Sequence, residues 1–559
     1  MDNLRIFLWV GLLMLIWLTV QTWQRTFAPT SAAIATNTTT PTAGTDAATP
    51  AGTDTSIALP ALPSSPASAT PTLDPMGEPS VVAPPSTNLV SVHTDVLDLL
   101  IDPRGGNIVE ARLPTYPIHK DQPDVAVELL STAPERYSAF QGGLRAAEGQ
   151  PEANHLAMFT ATATQFDLAP GASELRVPLR WQSETGVLVT KTYVFRPGGF
   201  RIGLEYSVQN NGTQPYNTAE YLQFNRVFTP HEQSMFDVDS YSFNGPVAYD
   251  GTKYQKIDVE DLVEAPFSQS VAEGWFAAIQ HHFVAAAVPP GTETWQYEGR
   301  LIDGKFLLSA IGPLKAIPPA GSAQFSSQLF IGPKLQEQLT ATAPGLERAV
   351  DYGRLTILAQ PMFWLLDKVH GFVGNWGLTI IIVTLLIKLV FYKLSETSGR
   401  SMAGMRKLQP RMKALQERYK DDRQAMSTAL MELYKKEKIN PAAGCLPMLV
   451  QIPFFISFYW VLLESVEMRQ APFALWITDL SSKDPFFILP LLMGAAMFLQ
   501  QKLNPPPPDP VQAKMMQIMP IVFTGFFAFF PAGLVLYWLT NSVLSIAQQW
   551  RINKVLGAD

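Results

Sequence analysis

The sequence predicts two kinds of structure in one chain, a soluble all-β domain and a bundle of membrane-spanning α-helices. Apolar residues alternate with polar ones over much of the stretch from Asn88 to Gly345, which is typical of half-buried strands. Long apolar runs are confined to the N-terminus and to the region after Trp376. The chain has 559 residues, more than one hydrophobic core usually organises, so separate domains are expected.

Composition excludes several classes of function. A net charge of −7 gives no general case for nucleic-acid binding. Cys445 is the only cysteine, which excludes an intrachain disulfide and a cysteine-based metal site. His281 and His282 are adjacent, and no HExxH spacing occurs. We therefore expect no metal, no cofactor and no catalytic residues.

The N-terminal segments predict an anchor followed by a linker. Arg5 precedes an apolar run from Ile6 to Val20, and Trp23 resembles an interfacial border, so residues 1–25 are expected to anchor the chain in the membrane. A cleaved signal peptide is the alternative, because the run is short. Residues 26–87 are dominated by Pro, Thr, Ala and Ser, which predicts a disordered linker.

Residues 88–345 predict a β-sandwich. In Phe200–Gln209 every second residue is apolar, which puts one face in a core and the other in water, and Asn211-Gly212 then indicates a hairpin-type turn. Further strands are expected at Val187–Phe195, Phe283–Val288 and Phe325–Ile331. Scattered carboxylates and tryptophans in this domain could line a sugar-binding cleft, but they form no catalytic constellation.

The C-terminal half predicts a helical core. Residues 346–373 carry apolar side chains at helical spacing, which favours an amphipathic helix along the membrane interface; a surface helix of the β domain is the alternative. Residues 374–551 contain five apolar segments, several of them shorter than a full span. The segments are Trp376–Tyr392, Leu446–Leu463, Phe486–Leu499, Ile518–Phe530 and Leu534–Ala547.

Lys388 is a cation inside the first of these segments, and the later segments offer no interior carboxylate. Insertion of such a charge costs roughly 2.5–3.5 kcal/mol, so an intramembrane lysine indicates a water-filled cavity or a partner. The alternative is that Lys388 lies near enough to the helix end for its ammonium to reach the headgroups.

Loop charge predicts the orientation. The loop between Gly399 and Pro441 carries eleven Lys and Arg against five acids, which makes it cytoplasmic by the positive-inside rule. With an anchored N-terminus this gives six spans, both termini in the cytoplasm and the β domain in the periplasm. Residues 397–441 also predict a helical hairpin, whose methionines either join its two arms or bind apolar helices of other proteins.

Four strings carry a family resemblance. They are Phe372-Val373-Gly374-Asn375-Trp376-Gly377, Asn440-Pro441-Ala442-Ala443-Gly444-Cys445-Leu446-Pro447, the segment from Arg469 to Ile477 and the segment from Phe530 to Trp538. Together they resemble the YidC membrane-protein insertase family of Gram-negative bacteria. The resemblance implies a β-supersandwich periplasmic domain, a five-helix core and a hydrophilic groove that passes new inner-membrane proteins into the bilayer.

The resemblance also implies site residues. In the family the groove holds one positive residue, usually arginine, and Lys388 occupies that place without the forked donors of a guanidinium. The other groove positions correspond to Thr384, Gln451, Tyr537 and Trp538. Contacts through the cytoplasmic hairpin are expected from Met402, Met405, Arg406, Met412, Arg418 and Met426.

Expected partners are nascent membrane proteins, the lipid bilayer and the Sec translocon, including SecYEG and SecDF. The ribosome could dock through the hairpin, whereas residues 552–559 form only a short tail for that purpose. Two other classes remain open at this point. One is a secondary transporter that uses Lys388 as a substrate or proton site, although no inverted repeat is visible. The other is a carbohydrate-binding envelope protein with a passive anchor.

Overall fold

The computed structural model describes residues 88–229, 242–419, 422–437, 442–503 and 510–556. The expected anchor (1–25), the expected linker (26–87) and the last residues of the tail lie outside this part of the chain.

The β domain consists of two sheets. In chain order its strands are β1 (Val90–His93), β2 (Asp98–Asp102), β3 (Asn107–His119), β4 (Gln122–Leu130), β5 (Ser138–Ala146), β6 (Thr160–Ala161), β7 (Gln165–Asp167), β8 (Leu175–Gln182), β9 (Val187–Phe195), β10 (Arg201–Asn210), β11 (Tyr216–Val227), β12 (Gly245–Tyr249), β13 (Tyr254–Lys256), β14 (Phe267–Val271), β15 (Trp275–Gln280), β16 (Phe283–Val288), β17 (Trp295–Ile302), β18 (Lys305–Ile311), β19 (Lys315–Ile317) and β20 (Ser322–Pro333). One sheet has the order β14-β17-β18-β11-β5-β3-β2-β1-β7, with β19 beside β11 and β4 beside β3. The other has the order β13-β12-β15-β16-β20-β10-β9-β8-β6. Short helices at Asp261–Glu264 and Gln336–Thr342 complete the domain.

Aromatic side chains join the inner faces of the two sheets. Phe224 on β11 and Phe276 on β15 belong to different sheets, and their ring centroids lie 5.9 Å apart. Along β10 the alternation seen in the sequence buries Leu204 and Tyr206 in this core. The β-sandwich prediction is therefore confirmed.

The hairpin turn predicted at Asn211-Gly212 is wrong. The flanking strands β10 and β11 lie in different sheets, so the chain crosses between the sheets at this point. The turn residues do form a tight bend, because Gly212 N–H donates to the side-chain oxygen of Asn210. A turn signal reports the local bend but not which strand pairs with which.

The interior of the β domain holds a lysine. Lys191 is fully buried, and its ammonium donates to Gly105 O at 3.0 Å and to Gly142 O at 2.8 Å. The rings of Tyr193 and Tyr206 lie 5.3 and 5.6 Å from the same nitrogen. Burial lowers the pKa of Lys191 to about 7.

Glu220, on β11, is buried in the same domain. Burial raises the pKa of this carboxyl group to about 8, and Lys191 exerts a smaller opposing effect. The sandwich thus contains an acid and a base that both titrate near neutral pH, and both are shielded from water.

The helical part begins after the sandwich. Its helices are α1 (Thr356–Val373), α2 (Trp376–Val390), α3 (Tyr392–Arg418), α4 (Arg423–Lys436), α5 (Ala442–Glu464), α6 (Ile488–Lys502), α7 (Pro510–Phe527) and α8 (Ala532–Leu556). Among the described residues, no single helix has both the length and the apolar composition to cross a membrane. The pair Trp376–Val390 and Tyr392–Ser401 meets that requirement jointly, with a bend of 64° between its two parts.

Side chains that bond to main-chain carbonyl groups join the β domain to the helical part. Arg469, in the loop between α5 and α6, donates to Pro117 O at 2.8 Å and to Ile118 O at 3.1 Å. Gln470 donates to Pro117 O at 3.0 Å. Lys120, at the tip of the β3–β4 hairpin, donates in the other direction to Gln470 O at 3.1 Å. The hairpin is thereby fixed on this loop by reciprocal hydrogen bonds.

Candidate functional site

The helix that carries Lys388 begins at a defined cap. Gly374 has a positive φ of 68°, which ends α1 in the left-handed region that glycine tolerates. The side chain of Asn375 then accepts a hydrogen bond from Leu378 N–H at 3.0 Å and caps α2. Lys388 lies in the last turn of α2, three residues before Phe391, where the chain bends into α3.

Lys388 finds its partner on α8. Its ammonium, which is partly buried, donates to the hydroxyl of Ser545 at 2.7 Å. Ser545 in turn donates to Asn541 O, also at 2.7 Å. No carboxylate among the described residues lies within 4 Å of Lys388. In this part of the chain the cation therefore has no counter-ion.

A second polar contact joins α5 to α8. Gln451 donates through Nε2 to the side-chain oxygen of Asn541 at 2.6 Å. Asn541 therefore links α5 with α2. Its side chain accepts from Gln451 on α5, and its main-chain carbonyl accepts from Ser545, which in turn contacts Lys388 on α2. We call Lys388, Gln451, Asn541 and Ser545 the polar track. All four side chains are partly exposed, so the track is accessible from outside the packed core.

Of the three remaining groove candidates, Tyr537 contacts the polar track through a side-chain hydrogen bond with Gln451. Thr384 is 1% exposed, and its hydroxyl bonds to Ile380 O within the same helix. Tyr537 is 2% exposed, and its ring stacks on Phe458 with a centroid distance of 4.4 Å. These two residues pack in the interior of the helical core.

Trp538 belongs to an aromatic cluster. Its ring lies 4.5 Å from that of Phe455 on α5 and 5.3 Å from that of Phe527 on α7. Of the five family-based candidates, Lys388 and Gln451 belong to the polar track, and Tyr537 contacts it through Gln451. Thr384 and Trp538 make no hydrogen bond to the track among the described residues.

The hairpin helices α3 and α4 contact each other. Met412 is buried, and the Tyr434 hydroxyl lies 3.8 Å from its sulfur. Met405 and Met426 are partly buried, whereas Arg418 is exposed with its guanidinium 5.8 Å from the Tyr419 ring. The side chains of Met402 and Arg406 lie outside the described part of the chain. Met412 therefore contacts the other arm of the hairpin.

Sequence reasoning missed Ser545 and did not assign a role to Asn541. The signal was present: Tyr537, Asn541 and Ser545 follow each other at four-residue steps, which places them on one face of α8. A polar stripe in an otherwise apolar helix indicates a face turned toward polar partners. The pairing of this stripe with Lys388 depends on how α2 and α8 pack, which the sequence does not display.

Two family descriptions match the chain. "60Kd inner membrane protein" matches residues 368–558, and "YidC periplasmic domain" matches residues 89–365. These matches define the class of protein: an inner-membrane protein whose β-sandwich is a periplasmic domain.

Individual relatives specify the family. The membrane protein insertase YidC of Thioalkalivibrio sulfidiphilus is 48% identical over 99% of this chain and 98% of its own. That of Methylococcus capsulatus is 49% identical over 83% of this chain and 85% of its own. A crystal structure of active YidC insertase with its first transmembrane domain resolved covers 83% of this chain and 92% of that chain, at 18% identity and a TM-score of 0.37.

The chain belongs to the YidC family of membrane protein insertases. Its clients are therefore newly made membrane proteins, and it is not an enzyme. This family membership decides against the secondary transporter and against the passively anchored carbohydrate-binding protein.

Proposed function

We propose that the polar track is the client-binding part of the insertase. The observation that carries this proposal is the contact of Lys388 with a neutral hydroxyl, 2.7 Å away on α8, in place of a carboxylate. A cation held by a neutral partner retains its attraction for an incoming negative charge. An acidic or polar segment of a client can therefore replace Ser545 as the partner of Lys388.

The helices of the core support a short path across the bilayer. Helices α2 and α6 have 15 residues each, which corresponds to about 22 Å at 1.5 Å per residue. The hydrocarbon core of a typical bilayer is about 30 Å thick, so helices of this length favour local thinning. The client's polar segment then crosses a shorter distance, and burial of about 20 apolar residues in lipid drives release of its helix from the groove.

We propose the topology given by loop charge, with six spans, both termini in the cytoplasm and the hairpin α3–α4 on the cytoplasmic side. We further propose that the domain limits follow the sequence segments 1–25, 26–87, 88–345, 346–373, 374–551 and 552–559. The exposed basic residues of the hairpin, among them Arg411 and Arg418, supply a surface for the ribosome.

The Sec translocon, as SecYEG and SecDF, and the lipid bilayer are the proposed partners in the membrane. The bilayer receives the client helix directly when the protein acts alone. Large apolar side chains on α2, such as Leu389 and Val390, are exposed and are suited to contact lipid or another membrane protein.

Crosslinking of a stalled nascent chain tests the proposal. Photoreactive probes are placed at positions 388 and 451 in the polar track, at 384 in the packed interior and at 386 on another face of α2. Positions 386 and 388 are offset by about 200° around a helix, so they sample different surroundings on the same element. We expect strong crosslinks from 388 and 451 and weak ones from 384 and 386. Equal crosslinking from 386 and 388 would contradict a client path along the polar track.

A further inference from the structure

A second candidate binding site lies in the periplasmic domain, beside the contact between the β3–β4 hairpin and the α5–α6 loop. Arg226, at the end of β11, lines a cavity of about 280 Å³. Its guanidinium has no ion pair, hydrogen bond or aromatic ring as a partner among the described residues. A partly buried cation without a partner is unfavourable unless an anion or a set of acceptors compensates it.

Arg226 keeps its charge in the cavity. Burial lowers the pKa of its guanidinium to about 10, which still leaves the group protonated at neutral pH. The arginine therefore presents a permanent positive charge with several free donors, a geometry suited to a carboxylate.

The acids that line the same cavity are engaged elsewhere or face water. Glu128 lies 3.8 Å from Arg112 and 3.4 Å from Arg136, so its charge is shared by these two arginines. Glu135 is exposed at the rim. Neither acid forms an ion pair with Arg226, so its guanidinium has no counter-ion among the described residues and is available to one from outside the chain.

A second cavity, of about 580 Å³, continues from the first. The two cavities share Ile118, Glu128 and Arg136. Strand β4 borders both of them, through Val127 in the first and Val125 in the second. We call the two cavities together the β4 cleft.

Strand β4 offers main-chain groups to an occupant of the β4 cleft. Among the described strands, β4 is hydrogen-bonded to β3 alone, so its other edge has unpaired donors and acceptors. Unpaired edges bind extended peptides by adding a strand, while pockets along the edge select side chains. Val125 on this strand is 47% exposed, which leaves apolar surface for such a contact.

We propose that the β4 cleft binds an extended segment of another polypeptide, which adds to the free edge of β4 and places one acidic side chain against Arg226. The main-chain pairing holds the segment without regard to most of its sequence. The carboxylate sets the register and the preference for acidic segments. This site uses no residue of the polar track, so it stands or falls independently of the client path proposed above.

Fluorescence anisotropy with defined peptides tests the proposal on the full chain in detergent micelles. The probe is a short labelled peptide of alternating threonine and valine with one central glutamate. Three comparison peptides carry glutamine in place of the glutamate, N-methyl groups on alternate amides, or a single acidic residue capped at both ends. On the unaltered protein we expect the glutamate peptide to bind about tenfold more tightly than the glutamine peptide. We also expect it to bind more tightly than the N-methylated peptide and the capped single residue.

Variants locate the effect. Arg226→Gln should abolish the preference for glutamate, Arg226→Lys should retain part of it, and Arg180→Gln should leave it unchanged. Arg180 is the matched control, because it is an exposed arginine on β8 in the other sheet. Equal affinity of the glutamate and glutamine peptides for the unaltered protein overturns the role of Arg226, whether or not the variants fold. If the N-methylated peptide binds as tightly as the glutamate peptide, the proposed strand addition is wrong.

Discussion

The two domains each hold a lysine away from bulk water, and they hold it in opposite ways. In the β domain, Lys191 is fully buried and donates to two main-chain carbonyl groups. In the helical core, Lys388 is partly buried and donates to one side-chain hydroxyl, that of Ser545.

The difference separates a structural cation from one that is available for exchange. The carbonyl group of Gly142 belongs to strand β5 and that of Gly105 to the tight turn between β2 and β3, so the fold fixes both partners of Lys191. A serine hydroxyl can rotate and bond elsewhere, as Ser545 already does with Asn541 O. A buried lysine therefore indicates function only when its partner can be replaced.

The largest expected effect tests this difference directly. Lys388→Ala should lower insertion of single-span clients with acidic tails by about a hundredfold or more, since a close charge pair contributes about 4 kcal/mol at an intermediate dielectric constant. Lys388→Arg should preserve insertion because it preserves the charge. Protease protection of a radiolabelled client in proteoliposomes measures the result. Lys393→Ala, which removes an exposed lysine from the next helix, is the control. Normal insertion by Lys388→Ala would remove the cation from the mechanism.

The corresponding change in the β domain should alter stability and leave insertion largely intact. Lys191→Met removes the donor of two buried carbonyl groups and should lower the free energy of unfolding by about 2 kcal/mol. Urea unfolding followed through tryptophan fluorescence measures it, with Lys253→Met at an exposed turn as the control. If Lys191→Met is as stable as Lys253→Met, the carbonyl contacts of Lys191 do not stabilise the domain.

A pH titration sharpens the contrast further. Burial raises the pKa of Glu220 from 4.5 to about 8. The protonated carboxyl group therefore stabilises the fold fully below pH 4.5, and this stabilisation is lost as the pH rises through 8. Lys191 has the opposite effect on the pH dependence, because burial lowers its pKa from 10.5 to about 7. Its contribution makes the free energy of unfolding rise as the pH increases from 7 to 10.5. We expect unfolding free energy to fall by on the order of 1–2 kcal/mol between about pH 5 and about pH 7.

Glu220→Gln should remove this fall, because glutamine does not titrate. Urea unfolding of both proteins at the two pH values gives the comparison. An unchanged pH dependence in the variant would assign the effect to another group.

The smallest expected effect concerns the partner of Lys388. Ser545→Ala removes one hydrogen bond to a charged group and should lower insertion about threefold, because the ammonium loses its orientation but keeps its charge. Ser545→Thr retains the hydroxyl and should restore most of the activity. If Ser545→Thr and Ser545→Ala reduce insertion equally, Ser545 acts through its packing and not through its hydroxyl group.

The sequence predicted the strands with clear alternation closely. The expected Val187–Phe195 and Phe283–Val288 have the bounds of β9 and β16. Alternation reports the two faces of a strand, so single strands could be found, but it carries no information on pairing across a sandwich. For this reason the hairpin expected at Asn211-Gly212 was wrong, because β10 and β11 join different sheets.

The candidate site was predicted in part. Lys388 was singled out because a cation is unusual in an apolar segment, and Gln451 was named through the family resemblance. The structure connects the two through Asn541 and Ser545. Lys191 was missed, although it falls in the inward phase of β9 with Val189 and Tyr193. The sequence could have revealed it as buried, but only packing shows that its partners are carbonyl groups.

The joint between the β3–β4 hairpin and the α5–α6 loop has a consequence for evolution. Its acceptors among the described residues are the peptide carbonyl groups of Pro117, Ile118, Gln470 and Thr478, and its donor side chains are those of Arg469, Gln470 and Lys120. Carbonyl groups are the same in all residues, so most residues on either surface can mutate without loss of a hydrogen bond. The hydrogen bonds of this joint can therefore survive extensive sequence divergence as long as the donors Arg469, Gln470 and Lys120 remain.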